Sequence, residues 1–296
     1  MTFSSLLATT DLSPHAALAA RRGARLARQL GARFDLLHVL EKSSLDQVQA
    51  FFGAGNPALA ERLETDARDG LHELATTLAD AQDETLAIGT HLRHGKIVEE
   101  IASFADANDS QLVLLGAHGS GFTRQLFLGT TAERLLRRLL RPLLVVRGTQ
   151  DADYTRVLVA VDFSPRSRAA LQYARTLAPA VDLSLMHVFD IPFESKLRYA
   201  EVEESVLDHQ RGRARQLATQ GLHDLAQEAG LDPQHGYHCV VAHGQPAARV
   251  LQTAQQLGAD LIVLCKHGVS LTNEVLLGSV TRQVLAEASC DVLVVR

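Results

Sequence analysis

Short apolar runs alternate with longer stretches in which apolar residues return every three or four positions, and the alternation continues from end to end. A short run that is apolar throughout suits a strand covered on both faces, and a 3.6-residue period suits a helix with one buried stripe. Strands alternating with helices of this length imply crossover connections, hence a parallel sheet under helices. In the first half the pattern predicts strands at 6–10, 34–40, 85–92, 112–115 and Leu143–Val146, with helices at 14–30, 58–79, 97–106 and 132–140. Ser13 is placed as N-cap of the first helix, Pro14 as its first residue and Gly31 as its C-cap. In the helix at 132–140, Leu135, Leu136, Leu139 and Leu140 are expected to face inward, with Pro142 as the stop.

The second half predicts the same order: strands at 157–161, Leu183–Phe189, 237–242, 261–264 and 292–295, and helices at Ser167–Leu177, within 194–229, at 247–257 and at 281–288. The repetition reaches the residues themselves. Asp11-Leu-Ser-Pro14 is answered by Asp162-Phe-Ser-Pro165, Gly116-Ala-His-Gly119 by Cys265-Lys-His-Gly268, and Leu143-Leu-Val-Val-Arg147 by Val292-Leu-Val-Val-Arg296. The offset is 151 residues at the first landmark and 149 afterwards, so the copies differ by a loss of two. A repeat this long is a duplicated domain rather than a solenoid unit. Domains are therefore expected at 1–148 and 155–296, joined by a short polar stretch. Each should be an α/β, doubly wound (Rossmann-like), five-stranded parallel sheet with flanking helices, whose ligands bind at the strands' carboxyl ends.

Composition narrows the class. A formal charge of −5 over 296 residues argues against a general affinity for nucleic acid or an anionic membrane. The three cysteines, Cys239, Cys265 and Cys290, lack framework spacing and read as buried thiols of a reducing cytoplasm. No signal peptide and no membrane span is read, since no apolar run approaches the required length.

The unusual residues gather where ligands are expected. Gly116 and Gly119 follow the fourth strand, and after nine intervening residues Gly129, Thr130 and Thr131 open a helix. Glycines let backbone N–H groups approach an anion, and a helix N-terminus favours phosphate. Thr10 and Asp11 end the first strand, where a carboxylate can accept from ribose hydroxyls. Taken alone, the same glycines would also serve a mere strand-to-helix turn. Neither a Walker A loop nor the dinucleotide fingerprint is present.

The Gly-x2-Gly-x9-Gly-Thr spacing after the fourth strand, with the Thr-Asp-x-Ser-Pro opening, resembles the universal stress protein family, twice over and across essentially the whole chain. That resemblance implies a five-stranded sheet that dimerises through its fifth strand, here an intramolecular pseudo-dimer of Leu143–Val146 with residues 292–295. It also implies ATP, bound in a subset of members; the Asp11 carboxylate is read separately as a candidate ligand for Mg2+ beside the phosphates. Asp11 would contact the ribose and Val39 the adenine, while Gly116, Gly119, Gly129 and Thr130 would hold the phosphates, with Thr131 beside them. Gly116 is expected in a surface loop that a bulkier residue would block without disturbing the fold.

The second copy keeps Asp162, Val188, Gly268, Gly278 and Ser279, but Cys265 replaces the first glycine and Glu274 brings a negative charge. A side chain at Cys265 is expected in the path of the phosphate or sugar, making this the weaker site, with Lys266 a partial offset. His94 and His243, each followed by glycine, should reach the same strand ends. His235, His238, Cys239 and His243 have a zinc-like composition but alternate faces on a strand, so no metal-ligand set is read. No nucleophile with a base and no paired carboxylates are found. The expected function is a cytoplasmic stress-response module in which an adenine nucleotide regulates an unidentified protein partner, with further homodimerisation open. The alternatives are a slow ATPase or nucleotide-dependent transferase, and a structural or small-ligand protein without nucleotide.

Overall fold

The computed structural model describes residues 3–41, 57–79, 86–117, 129–148, 152–191, 194–200, 202–231, 236–266 and 277–296. The chain divides into two compact units, Met1–Asp153 and Tyr154–Arg296. In the first, strands β1 (Ser5–Thr10), β2 (Arg33–Glu41), β3 (Ile88–Gly95), β4 (Leu112–Gly116) and β5 (Leu143–Val146) lie parallel in the order β3-β2-β1-β4-β5. Helices α1 (Pro14–Leu30), α2 (Pro57–Ala79), α3 (Ile97–Ala107) and α4 (Thr130–Arg138) connect them. Every residue of β1 and β5 is buried, β5 as an unbroken apolar run and β1 with Ser5, Thr9 and Thr10 among its buried residues.

Local chemistry sets the ends of α1. The Ala16 N–H donates to Ser13 Oγ (3.3 Å), and Gly31 ends the helix in the left-handed region at φ 61°. Its buried face is made of small residues, including Ala16, Ala19, Ala20, Gly23 and Ala24. A Cβ on Gly23 would lie 2.5 Å from the ring of the fully buried Phe34, so the glycine allows the helix to rest on β2.

The second unit repeats the plan. Strands β6 (Val157–Val161), β7 (Leu183–Phe189), β8 (Tyr237–His243), β9 (Leu261–Cys265) and β10 (Asp291–Val295) run parallel in the order β8-β7-β6-β9-β10. Its helices are α5 (Ser167–Leu177), α6 (Glu194–Tyr199), α7 (Glu204–Glu228), α8 (Pro246–Leu257) and α9 (Ser279–Glu287). In each unit the order reverses around the first strand, which opens a crevice between it and the fourth.

Four expected elements differ. The third strand is displaced towards the polar Arg93 and His94, because its ladder with β2 is built from backbone groups and is indifferent to side-chain polarity. The single helix expected within 194–229 is two, α6 and α7, and the break lets Arg211 of α7 reach Glu194 of α6 (Nε to Oε1, 3.1 Å). α4 starts at Thr130 and stops at Arg138, since Leu139 turns to extended backbone (φ −71°, ψ 138°). That turn takes Leu140 off the helical stripe: it is 65% exposed, while Leu135, Leu136 and Leu139 are buried. α9 likewise begins two residues earlier than expected, at Ser279.

Candidate functional site

The crevice of the first unit is bounded by the ends of β1, β2 and β4 and by the start of α4. β1 hands over to α1 through a turn tied by its own side chains. The Leu12 N–H donates to Thr10 Oγ1 (2.9 Å), and the Ser13 N–H donates to Asp11 Oδ1 (3.0 Å). Leu12 itself sits in the left-handed region (φ 62°). Thr10 is buried, and its carbonyl accepts from His38 Nδ1 (2.7 Å), so its role is to shape the turn. Asp11 is exposed at the mouth. Val39 stands one residue beyond the β1–β2 ladder, which ends at Thr10 and His38, and is half-buried beside that mouth.

On the far side, the Ala117 N–H donates to the Val146 carbonyl (3.0 Å), and the Gly129 N–H donates to the Ala117 carbonyl (3.3 Å). The second bond fastens the start of α4 to the end of β4 and occupies Gly129's only donor. α4 follows with no side chain capping its N-terminus, Thr130 exposed and Thr131 half-buried. Such an end presents unpaired N–H groups and a partial positive charge. Gly119 lies outside the described residues.

Gly116 plays a different part from the one expected. It closes β4, and a Cβ there would lie 2.8 Å from the His15 carbonyl oxygen and 3.3 Å from the Ala16 nitrogen. The missing side chain makes room for the first turn of α1, so a bulkier residue here would disturb the fold.

The second unit shows what happens when that room is filled. Cys265 is buried at the equivalent position, and α5 begins only at Ser167, the counterpart of Ala16. The thiol does not project into open space. Burial and then the Asp162 charge push it up to about 12, with Arg166 acting in the opposite sense. Such a thiol is inert at neutral pH. Asp162 is only half-exposed, and its Oδ1 accepts twice, from the Ser164 N–H (3.0 Å) and from Ser167 Oγ (3.1 Å). Val188 is half-buried like Val39, and His187 Nδ1 donates to the Val161 carbonyl (2.9 Å) as His38 does to Thr10.

The Gly278 N–H donates to the Lys266 carbonyl (3.1 Å), repeating the Gly129 contact, and Ser279 opens α9. Thr281 Oγ1 adds a bond to the Cys265 carbonyl (2.9 Å) that its counterpart Ala132 cannot make. The Lys266 side chain is buried at 2% exposure, where the first unit has Ala117. Gly268 and Glu274 lie outside the described residues.

Sequence reasoning missed Ser167, whose hydroxyl draws on Asp162. The signal was present as a serine standing opposite Ala16 in the aligned copies. The zinc-like composition is dispersed: His238 lies 3.9 Å from Asp182, Cys239 3.9 Å from His223, and His235 is outside the described residues. His243 instead meets Asp190 and Glu194.

The profile described as the universal stress protein family matches residues 2–147 and again residues 153–296. A universal stress protein of Mycolicibacterium smegmatis is 31% identical over 306 residues, covering 98% of this chain and 96% of its own. The universal stress protein YxiE of Bacillus subtilis is 31% identical over 148 residues, covering 48% of this chain and 99% of its own. Among solved structures, a universal stress protein of Archaeoglobus fulgidus superposes with TM-score 0.70 at 19% identity, covering 100% of this chain and 99% of its own, which shows a shared fold.

Proposed function

The chain belongs to the universal stress protein family, and on that basis we propose that its first unit binds an adenine nucleotide, ATP, as a regulatory module. One observation carries the reading. The ends of β1 and β2 and the start of α4 border the crevice of the first unit, and they carry an exposed carboxylate (Asp11), a half-buried apolar residue (Val39) and two threonines behind the Gly129 N-cap. These suit the ribose, the base and the phosphates in turn. Val39 would give the adenine an apolar contact, and Thr130 and Thr131 would add hydroxyl donors. Mg2+ commonly takes only one or two carboxylates beside the phosphates, and Asp11 supplies one. Occupancy would bias the loops around the crevice, and a protein partner would sense it through different affinity for the two states. Among the described residues no helix is long and apolar enough to cross a membrane.

Calorimetric titration of the full chain with ATP tests this. Asp11→Ala removes an acceptor for the ribose and is expected to weaken ATP by about tenfold, the equivalent of a hydrogen bond to a charged group of about 1.5 kcal/mol. The thermal midpoint without nucleotide checks that the Ser13 contact is not the cause. Unchanged ATP affinity in a folded Asp11→Ala protein would overturn the assignment.

A further inference from the structure

At the carboxyl end of β8, His243 Nε2 lies 2.8 Å from Glu194 Oε2 and 3.8 Å from Asp190 Oδ1. All three ligand atoms fall within 4.8 Å of one another. They come from three elements: Asp190 directly follows β7, Glu194 opens α6, and His243 ends β8 opposite Phe189 in the β7–β8 register. We propose that Asp190, Glu194 and His243 bind a divalent first-row transition ion of the zinc class, a site separate from the nucleotide crevice of the first unit.

The donor set is right for that class. Imidazole with carboxylates suits zinc and its neighbours, and three protein ligands leave a position for water or another ligand. Bonds of about 2.0–2.2 Å place ligand atoms about 3.3 Å apart around a tetrahedral ion, between the two distances measured from His243. His243 Nε2 is shielded from solvent and has no hydrogen bond of acceptable geometry among the described residues, although both carboxylates lie within 4 Å of it.

The surroundings hold the ligands in place. Glu194 is 13% exposed, and its Oε1 is taken by Arg211, which leaves Oε2 turned towards His243. Fixing one carboxylate oxygen in this way orients the other. Asp190 Oδ1 accepts from the Ile191 N–H (2.9 Å), which sets its direction too. Arg211 also pairs with Glu204 and Asp208, and Arg249 donates to the His243 carbonyl. The groups named, four carboxylates and two guanidinium groups, carry an excess of negative charge. That charge favours a cation, for which a proton on His243 is the competitor.

The first unit lacks the set. The 149-residue offset puts Glu41, Leu45 and His94 at the three positions, and leucine is no ligand. One ion per chain is therefore expected.

The experiment is calorimetric titration of the chelator-treated full-length protein with ZnCl2, with Co2+ absorption as a second readout. The expected result is one zinc per chain and a Co2+ ligand-field band. His243→Gln should abolish that band, and both His243→Gln and Asp190→Asn should weaken zinc by at least the ~10–100-fold typical of losing a mere supporting partner. Asp190 is largely exposed, so Asp190→Asn should keep its metal-free thermal midpoint and decide the matter even if His243→Gln unfolds. No zinc uptake by the wild type, or equal affinity in wild type and Asp190→Asn, overturns the proposal.

Discussion

Single residues carry more of this structure's meaning than their motif suggests. Gly116 belongs to the spacing that marks the family, yet its Cβ position faces the backbone of His15 and Ala16 at 2.8 and 3.3 Å. Backbone cannot yield as a side chain tip can. Gly116→Val is therefore expected to destabilise the fold by about 1–3 kcal/mol, the usual cost of overpacking, in addition to any effect on ligand. Urea denaturation measures it, and a fully stable Gly116→Val protein that fails only to bind ATP would restore the ligand-room reading. Cys265 gives a second prediction. Its folded thiol sits at about 12 against an ordinary 9.0, so the unfolded chain releases this proton first. The stabilising contribution is complete below the ordinary value and is lost as pH rises from there through about 12. Between roughly pH 9 and 11 the wild type should lose up to ~1.4 kcal/mol per pH unit more than Cys265→Ala, a difference that denaturation at stepped pH detects. Parallel slopes would show that the thiol ionises in the folded protein.

Among the elements, the two strand-to-helix turns separate the units. α1 begins at Pro14, directly after its Ser13 cap, whereas α5 starts at Ser167, beyond Pro165 and Arg166. The retreat coincides with Cys265, which has a side chain where Gly116 leaves space to the helix backbone. With the turn displaced, Ser167 Oγ becomes a second donor to Asp162 Oδ1, at a position where the first unit has Ala16, which has no hydroxyl to give. A carboxylate already drawn inward has less to offer a ribose. We therefore expect the first unit to bind ATP about tenfold more tightly, the effect of one charged hydrogen bond. Ser167→Ala should narrow the gap. Equal occupancy of both units at limiting ATP, seen by native mass spectrometry of separately truncated site variants, would refute this ranking.

On the scale of the whole molecule, duplication raises a question of edges. β5 and β10 are each the last strand of their own unit's sheet, and Leu143–Val146 is apolar throughout. An apolar edge exposed to water recruits another strand. Each half expressed alone should therefore self-associate at micromolar concentration. Sedimentation showing stable, soluble monomers of both halves would count against the fifth-strand pairing that the sequence analysis expects.

The residue pattern alone determined the fold class, the duplication and the position of the crevice. Strand burial and helix capping by Ser13 and Gly31 follow from short-range periodicity, and the doubly wound class it implies carries a reversal of strand order, whose actual sequence the structure supplies. The sequence likewise put Asp11 at the end of the first strand and Thr130 at a helix start, while Val39 entered only through the family resemblance. Other facts were decided only by packing. Whether Gly116 spares space for a ligand or for a helix depends on which atoms its Cβ would meet, which no spacing encodes. The break between α6 and α7, the bond of Ser167 to Asp162, and the meeting of Asp190, Glu194 and His243 join residues far apart in sequence or carried on different elements. Their distances depend on how the helices settle against the sheet, and that is set by side-chain volume and charge pairing across elements rather than by the pattern along any one of them.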